Sequence, residues 1–283
     1  MNRYFTEIQL KHADWKYLLP PVILLILTGI LSFSVATTHI GNIILIAGTL
    51  FIILIYKTHL YHKIRRDLRD QQRKNQAYQM LMLTLETDRP LPYMSDWSAT
   101  PELSLAVCDE ILHNEPDCVV ELGSGTTTLI TAMSLKKIGK GKVWAFDHQK
   151  EYVERTKLQL QRQKLTEWAV VHHAPLTTVE SEVGKSPWYD LEGKIPDRKV
   201  GLLIIDGPPV KTAKLARFPA LPMLWERLAE SAVIILHDTH RPEESEVIKR
   251  WQEKYDKLQC INIDSEKGIS VLYKGSADRS VIR

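Results

Sequence analysis

Five short apolar runs, "DCVVELG", "KVWAFD", "WAVVHHA", "VGLLIID" and "SAVIILHD", fall between residues 117 and 238. This recurrence constrains the fold more than any other feature of the chain. "TTTLITAMSLKK", "KEYVERTKLQLQRQ" and "FPALPMLWERLAE" lie among the runs and read as helices, and "PEESEVIKRWQEKY" reads as another after the fifth. Alternation of strand and helix predicts a largely parallel sheet covered by helices on both faces. Strands buried on both faces are nearly continuous in Val, Ile and Leu, as these are. The tail "LQCINIDSEKGISVLYK" adds two strand-like pieces. Ahead of the first run, "SATPELSLAVCDEIL" reads as a helix with Thr100 as N-cap and Pro101 at the first helical position.

Open parallel sheets bind ligands at the carboxyl ends of their strands. Here those ends are polar. The first predicted strand ends in Glu121-Leu-Gly123-Ser124-Gly125, the second in Asp147, the fourth in Asp206-Gly-Pro-Pro209 and the fifth in His237-Asp238-Thr239. Gly123 and Gly125 allow a tight turn and a close approach of backbone to ligand. Thr126, Thr127 and Thr128 follow with hydroxyls and a helix N-terminus. Asp147 lies 22 residues beyond Gly125, where a carboxylate can accept hydrogen bonds from ribose hydroxyls. Thr128 stands where a dinucleotide fingerprint has its third glycine, and no GK[ST] of a P-loop follows.

"VVELGSGTTT", "VWAFDHQ", "LLIIDGPP" and "AVIILHDT" together resemble the successive motifs of class I S-adenosylmethionine-dependent methyltransferases, over roughly residues 95–274. The "ELGSGT" loop and "IDGPP" strand end look most like the small, catechol O-methyltransferase-like branch. The resemblance implies a Rossmann-like α/β fold, a seven-stranded sheet whose last strand is antiparallel. It implies that Glu121, Gly123, Ser124, Gly125 and Thr126 hold the methionine part of S-adenosylmethionine, with Glu121 at its amino end. Asp147, with His148 beside it, would hold the ribose. His173 and Ala174 would fall at the adenine pocket, and Asp206 would also face the cofactor.

Methyl transfer from an activated cofactor leaves the protein to position the nucleophile and take its proton. In the metal-dependent branch, acids ending the fourth and fifth strands hold a divalent cation, which lowers the pKa of the substrate hydroxyl. Asp206 and Asp238 match those places, and His237 stands where some relatives have a second acid. Mg²⁺ suits oxygen donors, and a His shifts preference toward transition metals such as Mn²⁺. Without metal, Asp206 or His237 is the candidate general base. Asp206 could instead only cap its turn. His237 and His240 have no spacing that makes a zinc site with His172 and His173. Trp188, Trp225 and Trp251 read as core or surface, and Arg241, Glu243 and Glu244 as a loop at the site mouth.

Two further runs, residues 18–36 and 40–56, carry no charge. Each approaches the roughly 20 residues a membrane-spanning helix needs, which predicts an N-terminal transmembrane hairpin over 1–56. Lys and Arg flank the pair and are absent from the turn between them, which places both termini in the cytoplasm. A cleaved signal peptide is opposed by Glu7, Asp14 and the second run. Residues 57–90 read as a basic amphipathic linker helix, against anionic headgroups or in a homodimer contact, and 91–283 as the methyltransferase domain. Net charge of +3 gives no case for nucleic-acid binding, and three scattered cysteines fit neither zinc nor a disulfide framework. The expected activity is O-methylation of a small or lipid- or glycan-linked acceptor at the cytoplasmic membrane face. The alternative is a non-catalytic S-adenosylmethionine-binding membrane module.

Overall fold

A computed structural model describes residues 23, 26–27, 39–86, 89–92, 94 and 99–275, without the side chains of residues 39, 40, 44 and 45. The first expected span, 18–36, lies outside the described residues apart from Ile23, Ile26 and Leu27, which are helical. The chain divides into two compact units, Met1–Arg69 and Asp70–Arg283.

The second apolar run and the basic segment after it belong to one helix, α1 (His39–Leu85), with no break between them. By length and composition it is the one helix among the described residues able to cross a membrane. Ile43, Ile46, Leu50, Phe51, Ile53 and Leu54 are all exposed. A helix segment that is apolar all round suits a core or a bilayer, and exposure excludes the core.

Among the described residues, the second unit is built on nine strands. These are β1 (Cys118–Leu122), β2 (Lys142–Asp147), β3 (Ala169–His173), β4 (Leu176–Ser181), β5 (Gly184–Tyr189), β6 (Val200–Ile205), β7 (Leu228–His237), β8 (Gln259–Ile263) and β9 (Ile269–Tyr273). Seven form one sheet in the order β3-β2-β1-β6-β7-β9-β8. The first five strands in that order run parallel, and β9 is antiparallel to both β7 and β8. The expected seven-stranded sheet with a reversed strand near its end is therefore present.

Helices cover both faces, and the period of two along each strand sorts the side chains between them. Val119 turns to a layer containing Leu103 and Val107 of α2 (Pro101–Asn114) and Leu129 and Ile130 of α3 (Thr126–Ile138). Val153 and Leu160 of α4 (Lys150–Arg162) join that layer. Val120 and Leu122 turn to the other, which holds Leu221 and Leu224 of α5 (Ala220–Leu224) and Val247 and Trp251 of α6 (Pro242–Lys254). Each fully buried aliphatic side chain contributes about 1.5–3 kcal/mol. The start of α2 is as the sequence predicts: Thr100 Oγ1 accepts from the Leu103 N–H at 3.2 Å, and Pro101 opens the helix.

Two elements depart from the sequence reading. "FPALPMLWERLAE" is not one helix: α5 ends at Leu224, a 3₁₀ turn follows, and Leu228 already pairs with Val200 as the start of β7. Pro222 has no N–H to give a longer helix, and the β6 edge offers Leu228 backbone partners. The second departure is the antiparallel hairpin β4–β5, which stands outside the main sheet and has no counterpart in the predicted elements.

Candidate functional site

A cavity of about 470 Å³ opens at the carboxyl ends of β1, β2 and β6. Its walls are the loop after β1, the Asp147 end of β2 and the Asp206 end of β6, with Tyr189 from the β4–β5 hairpin. Gly207 has to be glycine here, because a Cβ would lie 2.2 Å from the Tyr189 hydroxyl oxygen.

The loop after β1 is fixed by its own backbone. Gly123 takes φ +108°, and its N–H donates to the Phe146 carbonyl at 2.8 Å. Asp206 N–H donates to the Leu122 carbonyl at 2.9 Å, tying β6 to the same turn. The Ser124 N–H and hydroxyl both donate to Asp147 Oδ2, at 3.0 and 3.1 Å, and the Gln149 N–H donates to Oδ1 at 2.9 Å. Asp147 thus holds the glycine loop as well as facing the cavity. Gly125 N–H donates to Thr128 Oγ1 at 3.1 Å.

Glu121, 1% exposed, lies beneath this loop and lines the cavity. Burial pushes its carboxyl well above the usual carboxylate range, the Asp206 and Asp147 charges add to that, and a hydrogen bond from Thr128 opposes it. Its second oxygen, Oε2, has no hydrogen-bond partner among the described residues. A buried acceptor left unmatched costs about 1–3 kcal/mol, which a donating or cationic ligand group would relieve. His148, at the cavity wall, is held toward the neutral imidazole by burial, against the Asp147 charge.

Behind the cavity sits a charged cluster. Asp206, 24% exposed through its side chain, accepts from His237 Nδ1 at 2.8 Å, which fixes the proton on Nδ1. Burial raises the Asp206 pKa, but His237, Arg217 and Lys267 outweigh it and hold the carboxyl below its ordinary value. Asp238 sits in left-handed backbone at φ +62°. It is bound by two guanidiniums, Arg217 Nη2 at 2.8 Å and Arg241 Nη1 at 2.9 Å from the same Oδ2. Arg217 is 3% exposed and also donates to the His237 and Asp206 carbonyls, at 2.7 and 3.2 Å.

Residues 120–239 match the model of a family described as a methyltransferase domain. The matched stretch is similar to a methyltransferase domain and runs from β1 to just past the end of β7, taking in the glycine loop, Asp147, Asp206 and Asp238. No curated protein matches it. Among solved structures, the O-methyltransferase from Bacillus cereus in complex with SAH is similar at TM-score 0.51 and 12% identity, over 73% of this chain and 97% of that one. An SAH-bound methyltransferase from Podospora anserina gives 0.49 and 9%, over 71% and 88%. The O-methyltransferase TomG from Streptomyces achromogenes, in complex with SAM, gives 0.47 and 12%, over 71% and 90%. The Bacillus cereus likeness shows a shared fold.

The sequence-predicted residues separate into two groups. Glu121, Gly123, Ser124, Gly125, Thr126, Asp147, His148 and Asp206 line the cavity. His173, Ala174, His237 and Asp238 are not among its lining residues. His173 lies on the surface with Nε2 3.1 Å from the His148 carbonyl, and Ala174 is buried, its N–H donating to the Asp147 carbonyl at 2.8 Å. Arg241, Glu243 and Glu244 are not a loop: Arg241 caps α6, the two acids form its first turn, and Glu244 is buried. Trp188 and Trp251 are fully buried, and all three cysteines are free thiols. Tyr152, Tyr189 and Lys211 line the cavity without having been singled out in the sequence, and Arg217 lies unannounced behind it. "LARFPAL", an arginine inside an apolar stretch, is the one signal that pointed to it.

Proposed function

We propose that the domain is an O-methyltransferase whose cavity holds S-adenosylmethionine, anchored to a membrane by α1 and acting on its cytoplasmic face. The observation that carries the cofactor assignment is the meeting of the glycine loop, Asp147 and the unmatched Glu121 oxygen in one cavity. When bound, the cofactor supplies an electrophilic methyl group. Glu121 Oε2 would accept from its ammonium, and the free lone-pair capacity of Asp147 Oδ1 would take a ribose hydroxyl. Asp206, at the cavity wall and anionic, is placed to accept the proton of an acceptor hydroxyl, with His237 fixing its orientation from behind. Tyr189 and Gly207 line the cavity beside Asp206.

A divalent cation on Asp206, His237 and Asp238 suits these residues less well. Their ligand atoms lie within 4.8 Å of one another, but Arg217 and Arg241 already occupy the Asp238 carboxylate. The apolar, exposed surface of α1 supports a membrane location, and with it an acceptor of lipid- or glycan-linked type. The basic segment after residue 56 supports cytoplasmic orientation. Calorimetric titration of the full chain with S-adenosylmethionine tests the cofactor reading. Binding is expected for the wild type and a large loss for Asp147→Ala; an inert wild type would remove the assignment. A non-catalytic binding module would bind equally well but turn over no acceptor.

A further inference from the structure

Asp206, His237 and Asp238 bring one ligand atom each to within 4.8 Å of the others, the number and type of donors that a divalent cation takes. A fixed cation is already among them. Arg217 Nη2 is 2.8 Å from Asp238 Oδ2 and 3.6 Å from Asp206 Oδ1. Two further bonds, to the His237 and Asp206 carbonyls at 2.7 and 3.2 Å, lock the guanidinium in place. It is 3% exposed, so no surface swing takes it out of the cluster. Arginine stays protonated in proteins, so this charge is permanent.

We propose that Arg217 stands in the place of a divalent cation, and that this methyltransferase domain is metal-independent. The charges support it without a metal. Arg217 and Arg241 set two positive charges against the carboxylates of Asp206 and Asp238, the same total that one Mg²⁺ or Mn²⁺ would bring; the third acid, Glu244, lies farther off, at 3.9 and 3.7 Å from them, and burial pushes its carboxyl toward the neutral form. A dication has no such freedom here, because its ligand oxygens would have to leave guanidinium donors that remain buried beside it. Mg²⁺ also demands near-octahedral oxygen coordination with its own waters, and the side chains of Arg217, His237 and Asp238 are almost wholly out of solvent. Arg217 does not line the cavity, so it is a positioning residue. It orients Asp206 through the carbonyl and carboxylate of that residue, and Asp206 faces the acceptor. The acceptor hydroxyl is then met by a carboxylate and not by a Lewis acid.

The proposal deepens the methyltransferase reading and is tested without its cofactor, so that failure here leaves the S-adenosylmethionine titration to be judged separately. The probe is Mn²⁺ alone, titrated into the full chain in detergent and followed by the electron paramagnetic resonance of the free ion. Wild type is expected to leave the free-ion signal unchanged. Arg217→Ala exposes Asp206, Asp238 and His237 to one another and is expected to gain a single Mn²⁺ site, tighter than any wild-type binding by at least about tenfold. Adding Asp238→Asn should abolish that site, and Arg217→Lys, which keeps a cation, should not create it. A merely structural arginine would not give this pattern. Wild-type binding of one Mn²⁺ that Asp206→Asn or Asp238→Asn removes would overturn the proposal, and so would a folded Arg217→Ala that binds no better than wild type. If Arg217→Ala does not fold, Arg217→Gln takes its place, since the amide can still donate to the His237 carbonyl. A gained Mn²⁺ site in that variant supports the proposal, and binding no better than wild type overturns it.

Discussion

Glu121→Gln removes one charge and almost no volume from the floor of the cavity. In the wild type, Glu121 Oε2 is buried without a partner, so its full hydrogen-bonding capacity is held for a ligand. A hydrogen bond to a charged group contributes about 1.5–3 kcal/mol. At about 1.4 kcal/mol per tenfold in affinity, the Kd for S-adenosylmethionine should rise roughly 10- to 150-fold, with the molar stoichiometry unchanged. The free protein should respond in the opposite direction. Burial holds the folded-state pKa of Glu121 well above its unfolded value of 4.5. The folded chain therefore binds this proton more tightly than the unfolded chain does. The associated stability is complete below the unfolded pKa and is lost as pH rises through the folded one. Gln carries no such loss, so the variant should melt higher than wild type at pH 8, and the gap should close toward pH 4.5. Ligand binding to wild type should also release a proton, seen as a dependence of the calorimetric enthalpy on the ionisation enthalpy of the buffer. If Glu121→Gln binds S-adenosylmethionine as tightly as wild type, the carboxyl does not meet the ligand and the reasoning fails.

Gly207→Ala should lower stability by about 1–3 kcal/mol, the usual cost of overpacking, because the new methyl meets the buried Tyr189 hydroxyl 2.2 Å away. A urea midpoint shift together with weakened S-adenosylmethionine binding checks this, and an unchanged midpoint would contradict the packing. Burial pushes the Cys118 thiol up to about 11, so at pH 8 it should stay unreactive to a thiol-disulfide reagent until the chain unfolds. Reaction of native Cys118 within minutes would show an open site. Replacing both Ile46 and Ile53 by Lys costs about 2.5–3.5 kcal/mol per residue at the centre of a spanning helix and should move the full chain from carbonate-washed membranes to the soluble fraction. Retention of the double variant in the membrane fraction would deny α1 the anchoring role.

All seven strands of the main sheet are legible in the sequence, the five runs as β1, β2, β3, β6 and β7 and the two tail pieces as β8 and β9. β1, β2, β6 and β7 lie in the interior of the sheet, where Val, Ile and Leu runs need no alternation; β3 forms its edge, and its burial alternates along "AVVHH". The hairpin β4–β5 is not legible because it stands outside that sheet: β4 holds no fully buried residue and no strict alternation, and Pro187 within β5 argues against a strand. The site divided in the same way. Gly123, Gly125 and Asp147 could be read because glycine in a turn and an acid at a strand end each have a local meaning. Arg217 could not, because its partners lie 11 to 27 residues away in sequence and meet it only through β6, β7 and α6. A long charged side chain reads as surface until the fold brings carboxylates to it.

Thr128 carries a consequence for which adenine nucleotides the cavity admits. Its hydroxyl accepts from the Gly125 N–H and also bonds to Glu121, so the loop and the buried acid share one residue. A third glycine there would let a pyrophosphate settle against bare backbone at the helix start. Here the approach ends on a threonine side chain with an acidic floor behind it. ATP and the nicotinamide dinucleotides would bring phosphates toward carboxyl groups and find the amide of Gly125 taken. A nucleoside bearing a positive charge on its short arm meets no such opposition. Sorting by charge at one loop would keep the domain unclogged in a cell rich in phosphorylated competitors.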